Sequence, residues 1–252
     1  MIDKKKVARC FAESAESYDQ QALVQRDAAH HLVRLVTEGG RPFPARVLEI
    51  GCGTGILTEQ YTSVCPPETL YLNDLSEALC QKASRRVSPA VAHLIPLPGD
   101  GERLVLPKNI DLCISSSCLQ WFTDLEGFFR RIGECLLPGG RLAIALCGQG
   151  TMAEVRELTG RGLDYCSPVK LADMLSPHLR IDHLEERQSK LFFPSVWAIL
   201  RHIRQTGVGA APGPQLTVGT LRQFERDYRD RYGCKRGLPV TYSNIFVVAT
   251  RV

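Results

Sequence analysis

The sequence predicts an α/β fold: a mostly parallel sheet with helices packed on both faces. Three observations carry this. Between Arg46 and Cys147, strand-like and helix-like runs alternate, as they do where crossover helices join parallel strands. The first strand-like run ends in a glycine-rich stretch, "VLEIGCGTGILT" (47–58), that opens a helix. The final apolar run, "NIFVVATRV" (244–252), follows a long helical stretch and serves to complete a sheet. The 252 residues read as a single domain in three parts. Residues 1–44 form a helical cap, 45–149 a ligand-binding core, and 150–252 further helices and the completing strands.

Residues 4–37 read as helix, because Val7, Cys10, Phe11, Leu23, Ala28, Leu32 and Leu35 recur at helical spacing. "RPFP" (41–44) breaks it. Strands follow at "RVLEI", "TLYLND", "AHLIPLPGD", "IDLCISSS" and "RLAIALC", with helices such as "EALCQKASRRV" and "LEGFFRRIGECL" between them. "LLPGG" (136–140) is a helix stop and a turn into the fifth strand. Beyond 150 come helices at "MAEVRELTGRGL" and "SPVKLADMLSPHL", a strand at "RIDHLEERQSKLFF" and a helix at "SVWAILRHIRQT". The loop "GVGAAPGPQ" (207–215), the polar helix "TVGTLRQFERDYRDRY" and the last strand close the chain.

Hydrophobic residues make up 44% and charged residues 23%, ordinary for a chain with a sizeable core. A net charge of +4 is too weak to argue for nucleic acid, and no apolar run is long enough to span a membrane. No apolar segment follows the basic residues of "MIDKKKVARC", so no secretory signal is visible. The 10 Cys are scattered with no C-x-x-C, which suggests neither a metal site nor a redox pair. They read as reduced, buried, small hydrophobes of a cytoplasmic protein.

The glycine loop is the most informative stretch. A dinucleotide fingerprint needs Gly or Ala three residues beyond its second Gly. That position holds Ile56 or Thr58, depending on the starting Gly, so the NAD/FAD reading fails. What stands here is E-x-G-x-G-x-G: Glu49, Gly51, Gly53 and Gly55. This resembles the nucleotide loop of class I S-adenosylmethionine-dependent methyltransferases, which have a Rossmann-like sheet with an antiparallel last strand. Glycines let the backbone approach a ligand closely, and an acid at the strand end suits a cationic amino group. Asp74, at the end of "TLYLND", has the type and spacing of an acceptor for both ribose hydroxyls, and equally of a helix cap. The resemblance extends the cofactor site to Leu75, to Asp100 and Gly101 in "LPGDGE", and to Ser116 and Gln120 in "SSSCLQWF". Asp100 would face the adenine amino group, or is a turn residue. Trp121 would meet the substrate where the strands end, or packs in the core.

Nearly the full length is similar to the biotin-pathway malonyl-acyl-carrier-protein O-methyltransferase family. Phe11, Tyr18 and Gln25 match its N-terminal helix pattern. "SSCLQW", "LRHIRQTGVGA" with Arg201 and Arg204, and "LPVTYSNIFVVA" with Tyr242 match further motifs. Ser116 replaces a common Asn, and "GDGERLVLP" replaces the usual D-x-E-x-L-P. The resemblance implies methyl transfer to the free carboxylate of a malonyl thioester, on acyl carrier protein or coenzyme A, whose ester primes pimeloyl and biotin synthesis. A malonyl carboxylate is already ionised near neutral pH, so no general base is required. Arg201 and Tyr18 are the candidate partners of that carboxylate; each also reads as an ordinary solvated or core residue. "RHIR" (201–204) and "RDYRDRYGCKR" (226–236) are the basic clusters available to an acidic carrier, the second diluted by Asp227 and Asp230. A methyltransferase for another small acid, such as aconitate, or for a phenol or amine shares the core motifs. A catalytically silent module is the reading from outside enzymes. The helical cap, with its proline-rich hinge, is expected to act as a mobile lid.

Overall fold

The computed structural model describes residues 2–38, 43–213 and 217–252. Arg41 and Pro42 of the predicted break, and Pro214 and Gln215 of the predicted loop, lie outside them. The N-terminal region forms three helices: α1 (Lys4–Ser14), α2 (Tyr18–Gln21) and α3 (Leu23–Thr37). One continuous helix was the expectation. It breaks where serine hydroxyls compete with the helical ladder: Ser14 Oγ donates to Phe11 O at 3.1 Å and Ser17 Oγ to Ser14 O at 3.2 Å.

The core then runs β1 (Arg46–Ile50), α4 (Ile56–Val64), β2 (Thr69–Asp74), α5 (Glu77–Ser84), β3 (His93–Pro98), β4 (Ile110–Ser116), α6 (Leu125–Cys135) and β5 (Leu136–Cys147). The rest is α7 (Ala153–Thr159), α8 (Pro168–Leu175), β6 (Arg180–Phe193), α9 (Val196–Gln205), α10 (Val218–Tyr232) and β7 (Leu238–Thr250). The strands form one sheet in the order β3-β2-β1-β4-β5-β7-β6. β1 to β5 pair in parallel, while β7 runs antiparallel to both β5 and β6. The strand order reverses between β1 and β4, where the carboxyl ends of the strands leave a crevice.

Each sheet face has its own apolar layer. Ala28, Leu32, Tyr61 and Cys80 bring α3, α4 and α5 onto one face. Phe128, Phe129, Leu171 and Leu175 bring α6 and α8 onto the other. β3 carries Pro96 and Pro98 and lies at the sheet edge, where a missing backbone donor is tolerated. "LLPGG" departs from the expected stop and turn. Strand pairing already begins at Leu136, opposite Ile110, and the ladder shifts register before Arg141 meets Leu112, with Gly139 at φ +78°.

β7 also starts earlier than its apolar run suggests, at Leu238, and all thirteen of its residues are buried. Its polar positions are satisfied from α7 and the turn before it. Thr241 N donates to Glu154 Oε2 at 3.1 Å, and Ser243 N donates to Thr151 Oγ1 at 3.1 Å. Among the described residues, no helix is long and apolar enough to cross a membrane.

Candidate active site

The crevice at the switch point opens into a cavity of about 1000 Å³, counting the solvent space at its mouth, beneath α1 and α3. Its floor is the loop after β1. Gly51 (φ +70°) passes Cys118 so closely that a Cβ would lie 2.1 Å from its Sγ. Gly53 (φ +53°) faces open space, and its amide donates to Asp74 Oδ2 at 3.0 Å. Gly55 (φ +91°) does something else. It does not line the cavity, and a Cβ there would meet Ala83 Cα of α5 at 2.8 Å. Gly55 thus lets α4 pack closely on α5.

Glu49 is 1% exposed and lines the cavity. Thr58 Oγ1 donates to its Oε2 at 2.7 Å. Burial pushes its carboxyl up to about 8; the Thr58 hydrogen bond opposes this and the Asp74 charge adds to it. Asp74 accepts from Gly53 N and, at 2.9 Å, from Ser76 N. Burial raises its carboxyl, and these two bonds work against that. The α5 cap is Ser76, whose Oγ accepts from Leu79 N at 3.4 Å, so Asp74 is not the cap.

Leu75, Asp100, Gly101, Ser116, Trp121 and Tyr18 all line the same cavity. Asp100 is held by Lys4 of α1, whose Nζ lies 2.6 and 2.8 Å from its two oxygens and also pairs with Glu102. Gly101 abuts Asn73 Oδ1, 2.9 Å from where a Cβ would stand. Asn73 Nδ2 donates to Leu97 O at 2.8 Å and to Gly99 O at 3.0 Å. Lys4 and Asn73 line the cavity without having been singled out in the sequence. Asn73 directly precedes Asp74, a position that could have drawn attention, whereas nothing in "DKKKVA" marks Lys4.

Gln120 lies beyond the main cavity, in a smaller one of about 370 Å³ that shares Phe11, Tyr18, Gln25, Ser117 and Trp121 with it. Buried polar atoms without a hydrogen-bond partner gather around these two cavities: Gln25 Oε1, Ser116 Oγ, Gln120 Oε1 and Trp121 Nε1. Buried polar groups are normally paired, so four orphans in one place mark where a polar ligand belongs. Tyr18 sits among them, packed 6.1 Å from the Phe11 ring. Burial above all, with Cys147 and Asp19 adding, keeps its hydroxyl protonated far above the usual range.

Arg201 departs from expectation. It is exposed on α9 and lines none of these cavities, because the inward positions of α9 are Val196, Ile199 and His202. Arg204 lines a third cavity, of about 750 Å³. In the second basic cluster, Arg231 is paired with Glu157 at 2.9 Å and Arg236 lies over the Phe192 ring at 3.9 Å. Among the described residues, no group of three or more His, Cys, Asp or Glu is arranged to hold a metal ion.

A parallel sheet in this order, closed by an antiparallel strand and opening a glycine-floored cavity at its switch point, defines a class I methyltransferase. Residues 48–144 match the methyltransferase domain family. The fold is shared with YcgJ of Bacillus subtilis (16% identical, covering 88% of this chain and 98% of that one, TM-score 0.60). It is shared too with the N-methyltransferase NodS of Bradyrhizobium japonicum, solved with S-adenosyl-L-homocysteine (15%, covering 89% and 86%, TM-score 0.52). Closer in sequence are curated proteins named malonyl-[acyl-carrier protein] O-methyltransferase. That of Bacteroides helcogenes is 34% identical over 98% of this chain and 98% of its own length. That of Haemophilus ducreyi is 32% identical over 99% and 98%. This chain belongs to the malonyl-[acyl-carrier protein] O-methyltransferase family.

Proposed function

We propose that this chain transfers the methyl group of S-adenosylmethionine to the free carboxylate of a malonyl thioester borne by acyl carrier protein, giving the methyl ester. The observation that carries this is the meeting of two cavities at Tyr18, Gln25 and Trp121. The larger suits the cofactor. Asp74 is positioned at the end of β2 to accept from ribose hydroxyls, and Glu49 supplies a buried acid for a cationic amino group. The smaller offers neutral polar groups to an acyl carboxylate.

Transfer forms a bond between a carboxylate oxygen and the methyl carbon. The carbon–sulfur bond breaks and its electron pair stays on sulfur. No proton is removed, so the site needs no base, and its task is alignment and exclusion of water. The protonated Tyr18 hydroxyl, Trp121 Nε1 and the Gln25 amide are suited to that task as uncharged hydrogen-bonding groups. They orient the carboxylate without the tight charge pairing that would quench its lone pair. Lys4 and Phe11 of α1 and Trp121 beyond β4 line the cavity, with Phe11 edge-on to Trp121 at 5.7 Å.

The test is transfer of labelled methyl from S-adenosylmethionine to malonyl-acyl-carrier protein, with malonyl-coenzyme A and aconitate as parallel acceptors. Base-labile label on the malonyl thioester is the expected result. Label on aconitate alone would move the chain to a small-acid substrate.

A further inference from the structure

The third cavity continues the first two. It shares Thr151, Met152, Tyr165 and Val208 with the small one, as the small one shares Ser117 and Trp121 with the cofactor cavity. The three form one run that starts beneath α1 and ends beside α9. Two non-glycine residues in left-handed backbone stand at its junctions: Ser117 (φ +56°) between the first pair and Met152 (φ +53°) between the second. Such strain collects where a ligand passes or is clamped.

The outer cavity combines apolar walls with two guanidinium groups. Its walls are apolar, supplied by Met152, Val155, Leu200, Ile203 and Val208. Arg161 and Arg204 are the only charged residues among the described residues that line it. Arg204 is exposed, and no carboxylate among the described residues pairs with it. Three joined cavities, the third apolar-walled with two arginines and one of those exposed, fit a slender chain that carries an anion at its far end.

From this geometry we infer that the run from Trp121 to Arg204 is the path of the phosphopantetheine arm, with its phosphate received by Arg204 and Arg161. This inference rests on the malonyl-thioester reading, because that acyl group must reach the junction at Trp121 on the end of such an arm. The phosphate is common to carrier protein and coenzyme A. Guanidinium forks match it in two-pronged geometry.

The experiment compares kcat/KM for malonyl-phosphopantetheine and for malonyl-pantetheine, which lacks the phosphate. A charge-assisted contact predicts a preference for the phosphorylated thioester of roughly tenfold or more in the native chain. Arg204→Gln should collapse that ratio toward one by lowering kcat/KM for the phosphorylated thioester, and Arg204→Lys should restore part of it. Arg130→Gln removes an exposed arginine of α6 that lines none of the three cavities and should leave the ratio intact. With full substrates, Arg204→Gln should raise KM for malonyl-coenzyme A and for the malonyl carrier protein alike.

An unchanged ratio in Arg204→Gln would overturn the inference. So would a loss confined to the carrier protein, which would place Arg204 against the carrier's own surface. In both cases malonyl thioesters are still methylated and the proposed function stands. Folded protein that binds S-adenosylhomocysteine but methylates no malonyl thioester would overturn the function and this path together.

Discussion

Lys4, in the first turn of α1, grips Asp100 at the end of β3 through both carboxylate oxygens, at 2.6 and 2.8 Å. The same ammonium pairs with Glu102 and lies 5.3 Å from the centroid of the Phe122 ring. One side chain thus ties the helical roof to the rim of the main cavity. Lys4→Met should leave the global fold intact and loosen α1. Amide exchange in residues 4–14 should quicken by roughly tenfold, the scale of one partly buried ion-pair network. Unchanged exchange, read by mass spectrometry, would mean that Val7 and Phe11 hold the helix without it.

Glu49 links cofactor binding to pH. Burial pushes its carboxyl up to about 8, so at neutral pH it is mostly protonated. A cationic amino group binding beside it favours the ionised form and expels the proton. Affinity for S-adenosylhomocysteine should therefore rise as pH climbs toward 8, by up to about tenfold per pH unit, and level off above it. Glu49→Gln should flatten the dependence. Calorimetry in buffers of different ionisation enthalpy would show the released proton directly, and its absence would remove Glu49 from the amino-group role.

Gly53 and Gly55 should fail in different ways when replaced. Gly55→Ala forces a Cβ to 2.8 Å from Ala83 Cα at φ +91°, so the cost falls on stability, about 2–3 kcal/mol. Gly53→Ala meets nothing within 4 Å and costs about 1 kcal/mol for its left-handed backbone. Its added methyl projects into ligand space, so cofactor affinity should suffer more than stability. Denaturant midpoints and S-adenosylhomocysteine titrations on the two variants would separate these effects.

His202 should make the fold acid-sensitive. It is buried on α9, with Nε2 2.7 Å from the Tyr242 hydroxyl, and burial lowers its imidazole to about 4. An unfolded chain takes up the proton near the ordinary value of 6.5, whereas the folded chain resists until about 4. Its stabilising contribution is thus complete above pH 6.5 and drains away as pH falls toward 4, at about 1.4 kcal/mol per unit. His202→Gln should lose less stability than the native chain between neutral and acid pH. Equal losses in urea unfolding would show that other groups dominate.

Much of this arrangement could be read in the residues, and the failures have physical causes. β1 and β2 fall where their runs predict, because strands in a covered sheet announce themselves as apolar blocks between breakers; β6 also falls at its run, although it is a polar edge strand. Glu49, Asp74 and Asp100 meet in one cavity because each closes a strand that ends on the same side of the sheet. Lys4 was not legible, since its place depends on how α1 folds back across the crevice. That fold depends on two serine hydroxyls in a stretch that otherwise scans as helix. The two readings of Arg201 stay open in the sequence because residue type alone does not say which face of α9 turns inward; the structure places it on the exposed face. The apolar run marks only the end of β7, because Thr241 and Ser243 look like loop and are in fact buried strand.

The thiols around the cavity have a further meaning. Cys52 and Cys118 line the space proposed for a reactive methyl sulfonium, and Cys147 lines the adjoining one. A thiolate there would be a better nucleophile than any carboxylate. Burial holds Cys118 far above its ordinary range and pushes Cys147 up to about 12, while Cys52 is raised by its contact with Cys80 and by burial. The protein is thus protected from its own reagent. Prolonged incubation with S-adenosylmethionine should leave every one of these cysteines unmethylated by peptide mass analysis, and self-alkylation should set in only when unfolding lets water reach them.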